Sequence, residues 1–252
     1  MSEPAVYVYG IASARCKAIS ARGVEAGRVR LIEHAGLTAL VSDIRGDQLA
    51  AAREVRAHWR VLDEASESCT ILPIRFGTVM ESEDAVREGL LEPNGERLQA
   101  LLRELEGRVQ LVLKGEYDEP QLMRDVVRQS AAVSELRDRL RAVPAEAGYY
   151  ERIRLGELVA EHVAHRRAED TRIALEMLEP LSVAAREDEI RQADSAFNIA
   201  FLVDRDGLDA FNKGVRDLAV ELGDRIALRY VGPLPPYSFA DVELDTEAAA
   251  WA

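Results

Sequence analysis

Residues 109–113 read Val109-Gln110-Leu111-Val112-Leu113, an apolar run of strand length just after Gly107. The elements downstream of that run decide the fold. From Gln121 onward, Leu122, Val126, Val133, Leu136 and Leu140 keep a near-heptad spacing, which predicts one long helix ending before Pro144. Tyr149–Leu178 predicts a second long helix, closed by Pro180, and the short connection Ala145–Gly148 makes the two an antiparallel hairpin. Leu181–Ala184 and Ala196–Val203 read as strands. A helix opened by Asp206 or Gly207 then runs through Phe211, Val215, Leu218 and Leu222 to Gly223, before a last strand, Ile226–Val231. With the helical pair counted as an enlarged first crossover, the order is βαββαβ, the split unit of a ferredoxin-like fold.

Upstream, Val6-Tyr7-Val8-Tyr9-Gly10 is β-branched and aromatic and stops at glycine, so it reads as a strand. Val29–Glu33 and Leu37–Asp43 flank the turn His34-Ala35-Gly36 and predict a hairpin. Asp47 stands where an N-cap belongs, ahead of Leu49, Ala52, Val55, Trp59, Leu62 and Ser66 at three- and four-residue steps. Thr70-Ile71-Leu72 is a short strand, and Ile74–Met80 an irregular turn and strand. Ser82 caps a further helical stretch, which Pro93-Asn94-Gly95 interrupts.

The expected architecture is therefore α+β, with an N-terminal α+β domain over 1–106 and a ferredoxin-like domain carrying a helical hairpin over 107–232. An extended tail, 233–252, packs back on the first domain. Its Pro233, Pro235 and Pro236 remove donors and fix φ, which predicts a polyproline-like run anchored by Tyr237 and Phe239 that locks the two halves together. Residues 245–252 are expected to fray.

Composition excludes several classes. With 48% hydrophobic and 31% charged residues the chain is globular in character. The net charge of −13 lacks the basic footprint that phosphate-backbone binding requires, so no nucleic-acid partner is expected. No apolar run approaches the ~20 residues needed to span a bilayer, and the first ten residues lack the basic and apolar regions of a signal peptide. Cys16 and Cys69 are too few for a disulfide scaffold, so a reducing, cytoplasmic setting is expected and Cys69 reads as a packing residue.

The search for chemistry is short. His162 and His165 have i, i+3 spacing, within reach of one ion, yet no third ligand is evident in the other elements. No nucleophile elbow, phosphate loop, dinucleotide fingerprint or zincin motif is present. In Pro73-Ile74-Arg75-Phe76-Gly77-Thr78, Arg75 could clamp an anion beside Thr78 and the Gly77 amide. Without a nucleophile or base, the structural reading is the better one: Pro73 ends a strand, Gly77 permits a turn and Phe76 packs inward. No catalytic, cofactor-binding or metal-ligating residue is assigned, and no cofactor is expected.

Five segments, in order, resemble the gas vesicle synthesis proteins of the GvpL/GvpF family. They are Tyr7-Val8-Tyr9-Gly10-Ile11, Leu72-Pro73-Ile74-Arg75-Phe76-Gly77-Thr78-Val79, Gly148-Tyr149-Tyr150, Asn198-Ile199-Ala200-Phe201-Leu202-Val203 and Gly232-Pro233-Leu234-Pro235-Pro236-Tyr237-Ser238-Phe239. In one departure, Tyr117 stands where the family usually carries a tryptophan. The resemblance implies a two-domain, non-enzymatic accessory or minor structural protein of gas vesicle assembly. Its implied partners are the hydrophobic major shell protein and other accessory proteins, and its implied location is the vesicle in the cytoplasm, with no membrane or small-molecule substrate. Two competing readings are a ferredoxin-like module that binds a small regulatory molecule, and an enzyme built on Arg75.

Overall fold

The structure is a computed structural model that describes residues 5–13, 16–45, 52–144, 147–190 and 192–240. It divides into two compact units, one formed by the residues up to Gln110 together with 232–240, the other by Leu111–Val231.

In the first unit β1 (Ala5–Ser13) is the central strand. It runs antiparallel to β3 (Leu37–Ile44), β4 (Ile71–Pro73) and β5 (Val79–Met80), and β2 (Arg30–His34) pairs with the outer side of β3. Every residue from Val6 to Ala12 is buried, which is why this strand is apolar on both faces instead of alternating. The pairing with β3 shifts between Val8 and Gly10, a bulge at Tyr9. A side chain at Gly10 would stand 2.9 Å from atoms of Ile71 and Leu62, so the close approach requires glycine there.

The hairpin between β2 and β3 differs from expectation by one residue. His34 belongs to β2 and pairs with Leu37, leaving a two-residue turn in which Ala35 (φ 46°) and Gly36 (φ 82°) are both left-handed. Helix α1 (Ala52–Ser66) buries Ala57, His58, Val61, Leu62 and Ala65. The Asp47 N-cap expected for it lies outside the described residues. A π-helical turn, Ala85–Leu91, and α2 (Gly95–Glu104) come next, separated at 92–94.

The reading of Cys69 as a packing residue is corrected. Cys16 and Cys69 form a disulfide across a sequence separation of 53, with their Cα atoms 5.0 Å apart. Spacing along the chain carried no sign of it, because the proximity arises only when the segment after β1 is laid against the end of α1.

In the second unit β6 (Arg108–Tyr117), β7 (Ala184–Glu187), β8 (Ser195–Asp204) and β9 (Ile226–Leu234) form a sheet of order β7-β8-β6-β9. The first strand sits between the third and the fourth, the ferredoxin-like arrangement of a βαββαβ unit. The long helix expected over 121–140 is instead two helices, α3 (Glu119–Gln129) and α4 (Ala131–Leu140). Ser130 takes an extended backbone (φ −113°, ψ 106°), and its hydroxyl accepts the Val133 N–H and so caps the second helix. Asp118 caps α3 in the same way, accepting from the Gln121 N–H. Helix α5 (Tyr149–Leu178) has 30 residues and spans about 45 Å.

A strand over 181–184 is also corrected. Glu179–Leu181 is a 3-10 turn, Ser182 closes it by donating to the Glu179 carbonyl, and β7 starts at Ala184. Helix α6 (Leu208–Leu222) ends at Gly223, whose positive φ of 58° stops it. Phe197, Phe201, Phe211, Leu178 and Leu218 lie at the centre of this unit's core. Among the described residues no helix is long and apolar enough to cross a membrane.

Candidate interaction surface

The segment Pro73–Thr78 is assembled from its own backbone. Pro73 pairs with Gly10 as the last residue of β4, and the Ile74 N–H donates to the Tyr9 carbonyl. Gly77 has φ 92°, a conformation that favours glycine, and turns the chain back to β5. The groups that would have helped Arg75 hold an anion are engaged inside this loop. The Thr78 hydroxyl donates to the Arg75 carbonyl at 2.8 Å and the Gly77 N–H to the Tyr7 hydroxyl at 3.1 Å, while Arg75 itself is exposed.

Behind the loop lies a buried polar chain. The Tyr7 hydroxyl, having accepted from Gly77, is hydrogen-bonded to His58 Nδ1 at 2.9 Å, and the imidazole is also hydrogen-bonded to the Ile74 backbone. Burial of His58 at 2% exposure pushes its pKa down to about 4, so the ring is neutral near pH 7. Phe76 places its ring 5.5 Å from His58 and 6.1 Å from Tyr7, edge-on to both. The Tyr9 hydroxyl accepts the Val24 N–H and shares a hydrogen bond with the Ser42 hydroxyl, both at 2.7 Å. Burial raises the pKa of both tyrosines.

The C-terminal segment differs from an extended polyproline run. Strand β9 continues through Pro233 to Leu234, and the chain then turns, with the Tyr237 N–H on the Pro235 carbonyl and those of Phe239 and Ala240 on the Pro236 carbonyl. Prolines lack donors but keep their acceptors, and this turn uses them. Pro235, Pro236 and Phe239 are buried, and the Tyr237 ring meets Trp59 edge-on at 4.2 Å. Among the described residues the Tyr237 hydroxyl has no hydrogen-bond partner, and burial, with Asp63 nearby, raises its pKa.

In the second unit Asp170 is a buried carboxylate that the sequence did not single out. One oxygen accepts from the Tyr117 hydroxyl at 2.9 Å and lies 3.3 Å from Arg166 Nε; the other lies 3.8 Å from Arg225. The signal was present as the i, i+4 spacing of Arg166 and Asp170 on a long helix. Beside this network is a cavity of about 50 Å³ lined by Tyr117, Gln121, His162, His165, Arg166 and Arg225. His165 pairs with Glu169 at 3.5 Å. Among the described residues no group of three or more His, Cys, Asp and Glu is placed to hold a metal ion.

Among the described residues, the exposed large apolar side chains include two groups of near neighbours in the chain. At the start of α5, Tyr149, Tyr150 and Ile153 are 61%, 81% and 45% exposed, with the tyrosine rings 5.4 Å apart. At the sheet edge β9 exposes Tyr230 and Val231, the former donating to Asn212 at 2.7 Å, while Pro233 further along lacks the N–H that strand addition would use.

The whole chain matches known proteins. A family model described as "Gas vesicle synthesis protein GvpL/GvpF" matches residues 5–241. The gas vesicle protein F of Streptomyces sp. (strain CB03234) is 34% identical over 93% of this chain and 99% of its own. The gas vesicle protein L1 of Halobacterium salinarum is 25% identical over 90% of this chain and 86% of its own. The crystal structure of the gas vesicle protein GvpF from Anabaena sp. PCC7120 shares the fold at a TM-score of 0.83, with 24% identity over 95% of this chain and 99% of that one. With a match spanning both units and a relative this similar over nearly its full length, the chain belongs to the GvpL/GvpF family of gas vesicle synthesis proteins.

Proposed function

We propose that this chain is a non-enzymatic accessory or minor structural protein of gas vesicle assembly, which binds the hydrophobic major shell protein and keeps it from aggregating while a vesicle nucleates. Family membership supports the assembly role. The single observation that carries the contact is the group Tyr149, Tyr150 and Ile153, which leaves large apolar side chains in water at one end of a 30-residue helix. Exposed apolar clusters on a soluble surface mark sites of association. A shell subunit destined to face gas presents apolar surface of its own before it is packed. A partner of net charge −13 covers such a surface and keeps the complex dispersed by like-charge repulsion. Other accessory proteins of the vesicle are the further partners, and the vesicle within the cytoplasm is the expected location.

The test is co-purification of the full chain with the major shell protein, then light scattering of the shell protein alone and in the mixture. The wild type is expected to co-purify and to suppress scattering. The Tyr149→Asp/Tyr150→Asp variant, folded by circular dichroism, is expected to lose both effects. Co-purification that survives this change moves the contact elsewhere, and absence of association at any salt concentration overturns the reading. Truncations at the expected boundaries 106 and 232 then assign the contact to a domain.

A further inference from the structure

We propose that Cys16 and Cys69 form a thiol–disulfide exchange site, through which a dithiol reductant of the cell controls how firmly the segment from Cys16 to Ala26 is held against α1. The two cysteines are half-buried and bonded to each other, and their Cα atoms are 5.0 Å apart, a separation at which the bond closes without backbone movement. Cys16 lies just past β1 on a stretch, Cys16–Ser20, with no regular secondary structure. Cys69 sits at the other anchor, where its N–H caps the end of α1 by donating to the Ala65 carbonyl.

The remaining ties between this segment and the end of α1 are non-covalent: Val24 is buried in one core cluster with Val61, Leu62 and Ala65, Ile19 and Ala21 pack against that cluster, and a set of hydrogen bonds lies nearer the surface. The Lys17 N–H reaches Ser68 Oγ at 3.4 Å, a long contact. Glu64 accepts three donors, the Ser20 N–H at 2.6 Å, the Ser20 hydroxyl at 2.8 Å and the Ala21 N–H at 2.8 Å. Further along, the Glu25 N–H donates to Glu54 at 2.8 Å. These hydrogen bonds join one segment to α1 and the turn after it, and Lys17, Ser20 and Glu25 are exposed. The disulfide is the single covalent tie among them. A disulfide in a chain that works in a reducing compartment is typically transient or redox-sensing.

Exchange proceeds in two balanced displacements. A thiolate of the reductant attacks one sulfur of the bond, forming a mixed disulfide and releasing the other cysteine as a thiolate, which takes up a proton. The second thiol of the reductant attacks the mixed disulfide, leaves as the reductant's own disulfide and frees the remaining cysteine. Two electrons and two protons pass from the dithiol to the Cys16–Cys69 pair. Reduction removes the covalent tie and leaves Glu64, Ser68 and Glu54, with the packing of Ile19, Ala21 and Val24 on the core, to hold the segment. The Tyr9 hydroxyl, which accepts the Val24 N–H, keeps the far end in place.

The experiment uses the full chain, purified without reductant, with dithiothreitol as the probe. Alkylation and mass spectrometry count the free thiols before and after treatment, and hydrogen–deuterium exchange monitors the peptide spanning 16–26. The expected result is no free thiol before treatment and two after it. Exchange at the Ser20 and Ala21 amides should rise at least tenfold on reduction, while β1 and β3 stay protected. The Cys16→Ser/Cys69→Ser variant should show the faster exchange with and without dithiothreitol. Two free thiols before treatment, under an oxidising glutathione buffer, overturn the proposal. So does exchange in 16–26 that is unchanged by reduction.

Discussion

Gln110 and Ser238, 128 positions apart, are joined by two hydrogen bonds. The Gln110 carbonyl oxygen accepts the Ser238 N–H at 2.8 Å and its amide nitrogen donates to the Ser238 hydroxyl at 3.1 Å. Gln110 is 3% exposed between the apolar Val109 and Leu111, so its amide pairs with the returning tail and not with water.

Gln110→Ala strands the Ser238 N–H, at a cost of about 1–3 kcal/mol, and Ser238→Ala removes only the hydroxyl bond, at about 1 kcal/mol or less. Denaturant titration of the two variants checks the order. Equal costs would mean that the backbone bond contributes nothing.

Removing everything after Gly232 takes away the buried Phe239 and the Tyr237–Trp59 contact. At roughly 1.5–3 kcal/mol per large apolar side chain, the loss is about 3–6 kcal/mol. The truncated chain should melt lower and be cleaved sooner within residues 1–110; a melting curve identical to wild type refutes it.

His58 sets an acid limit on stability. Its folded pKa of about 4 lies below the ordinary histidine value of ~6.5, so between these two pH values the unfolded chain binds a proton that the folded chain refuses. Its contribution is complete above about pH 6.5 and falls by about 3 kcal/mol as pH drops to 4. Backbone N–H donors and arginines hold the carboxyls of Glu54, Glu64 and Glu83 below the usual carboxylate range, which adds loss in the same direction at still lower pH. Denaturation midpoints from pH 4.5 to 7.5 should show the slope in the wild type and a flatter one in His58→Gln.

Tyr117→Phe removes one neutral donor from the Asp170 carboxylate while Arg166 still faces it. The expected cost is about 1–2 kcal/mol. Asp170→Ala leaves Arg166 and the Tyr117 hydroxyl without their acceptor and should cost about 3–5 kcal/mol. Thermal melts of both distinguish a supporting network from an incidental one, in which the two would cost the same.

Reduction of the Cys16–Cys69 bond reopens a loop with a sequence separation of 53. Chain entropy in the unfolded state then gains about 4 kcal/mol. Urea titrations with and without dithiothreitol, run beside Cys16→Ser/Cys69→Ser, should show that loss for the wild type only.

Much of the fold was legible because the elements are set by local contrast between apolar and polar positions. Tyr149–Leu178 begins and ends where the periodicity between Gly148 and Pro180 places it. The misses are of two kinds. Ser130 sits within a continuous heptad-like pattern, and its capping hydroxyl divides the helix without disturbing the spacing of Val126 and Val133. Pro235 and Pro236 read as extended because a proline lacks a donor and has a fixed φ, whereas their carbonyls close the turn at 237–240. At the surface, Gly148-Tyr149-Tyr150 was visible as a motif, but the exposure of its tyrosines was not.

By itself the amino-acid sequence determined the charge, the class, the order of the strands along the chain and the family resemblance, all properties of neighbouring residues and their succession. Tertiary structure alone decided that Cys16 meets Cys69, that Asp170 is a buried acceptor for Tyr117, and that Gln110 holds Ser238. Each of these partnerships joins residues more than fifty positions apart. No local preference selects one distant partner over another; that choice is made when sheets and helices close around a core and bring these particular groups together.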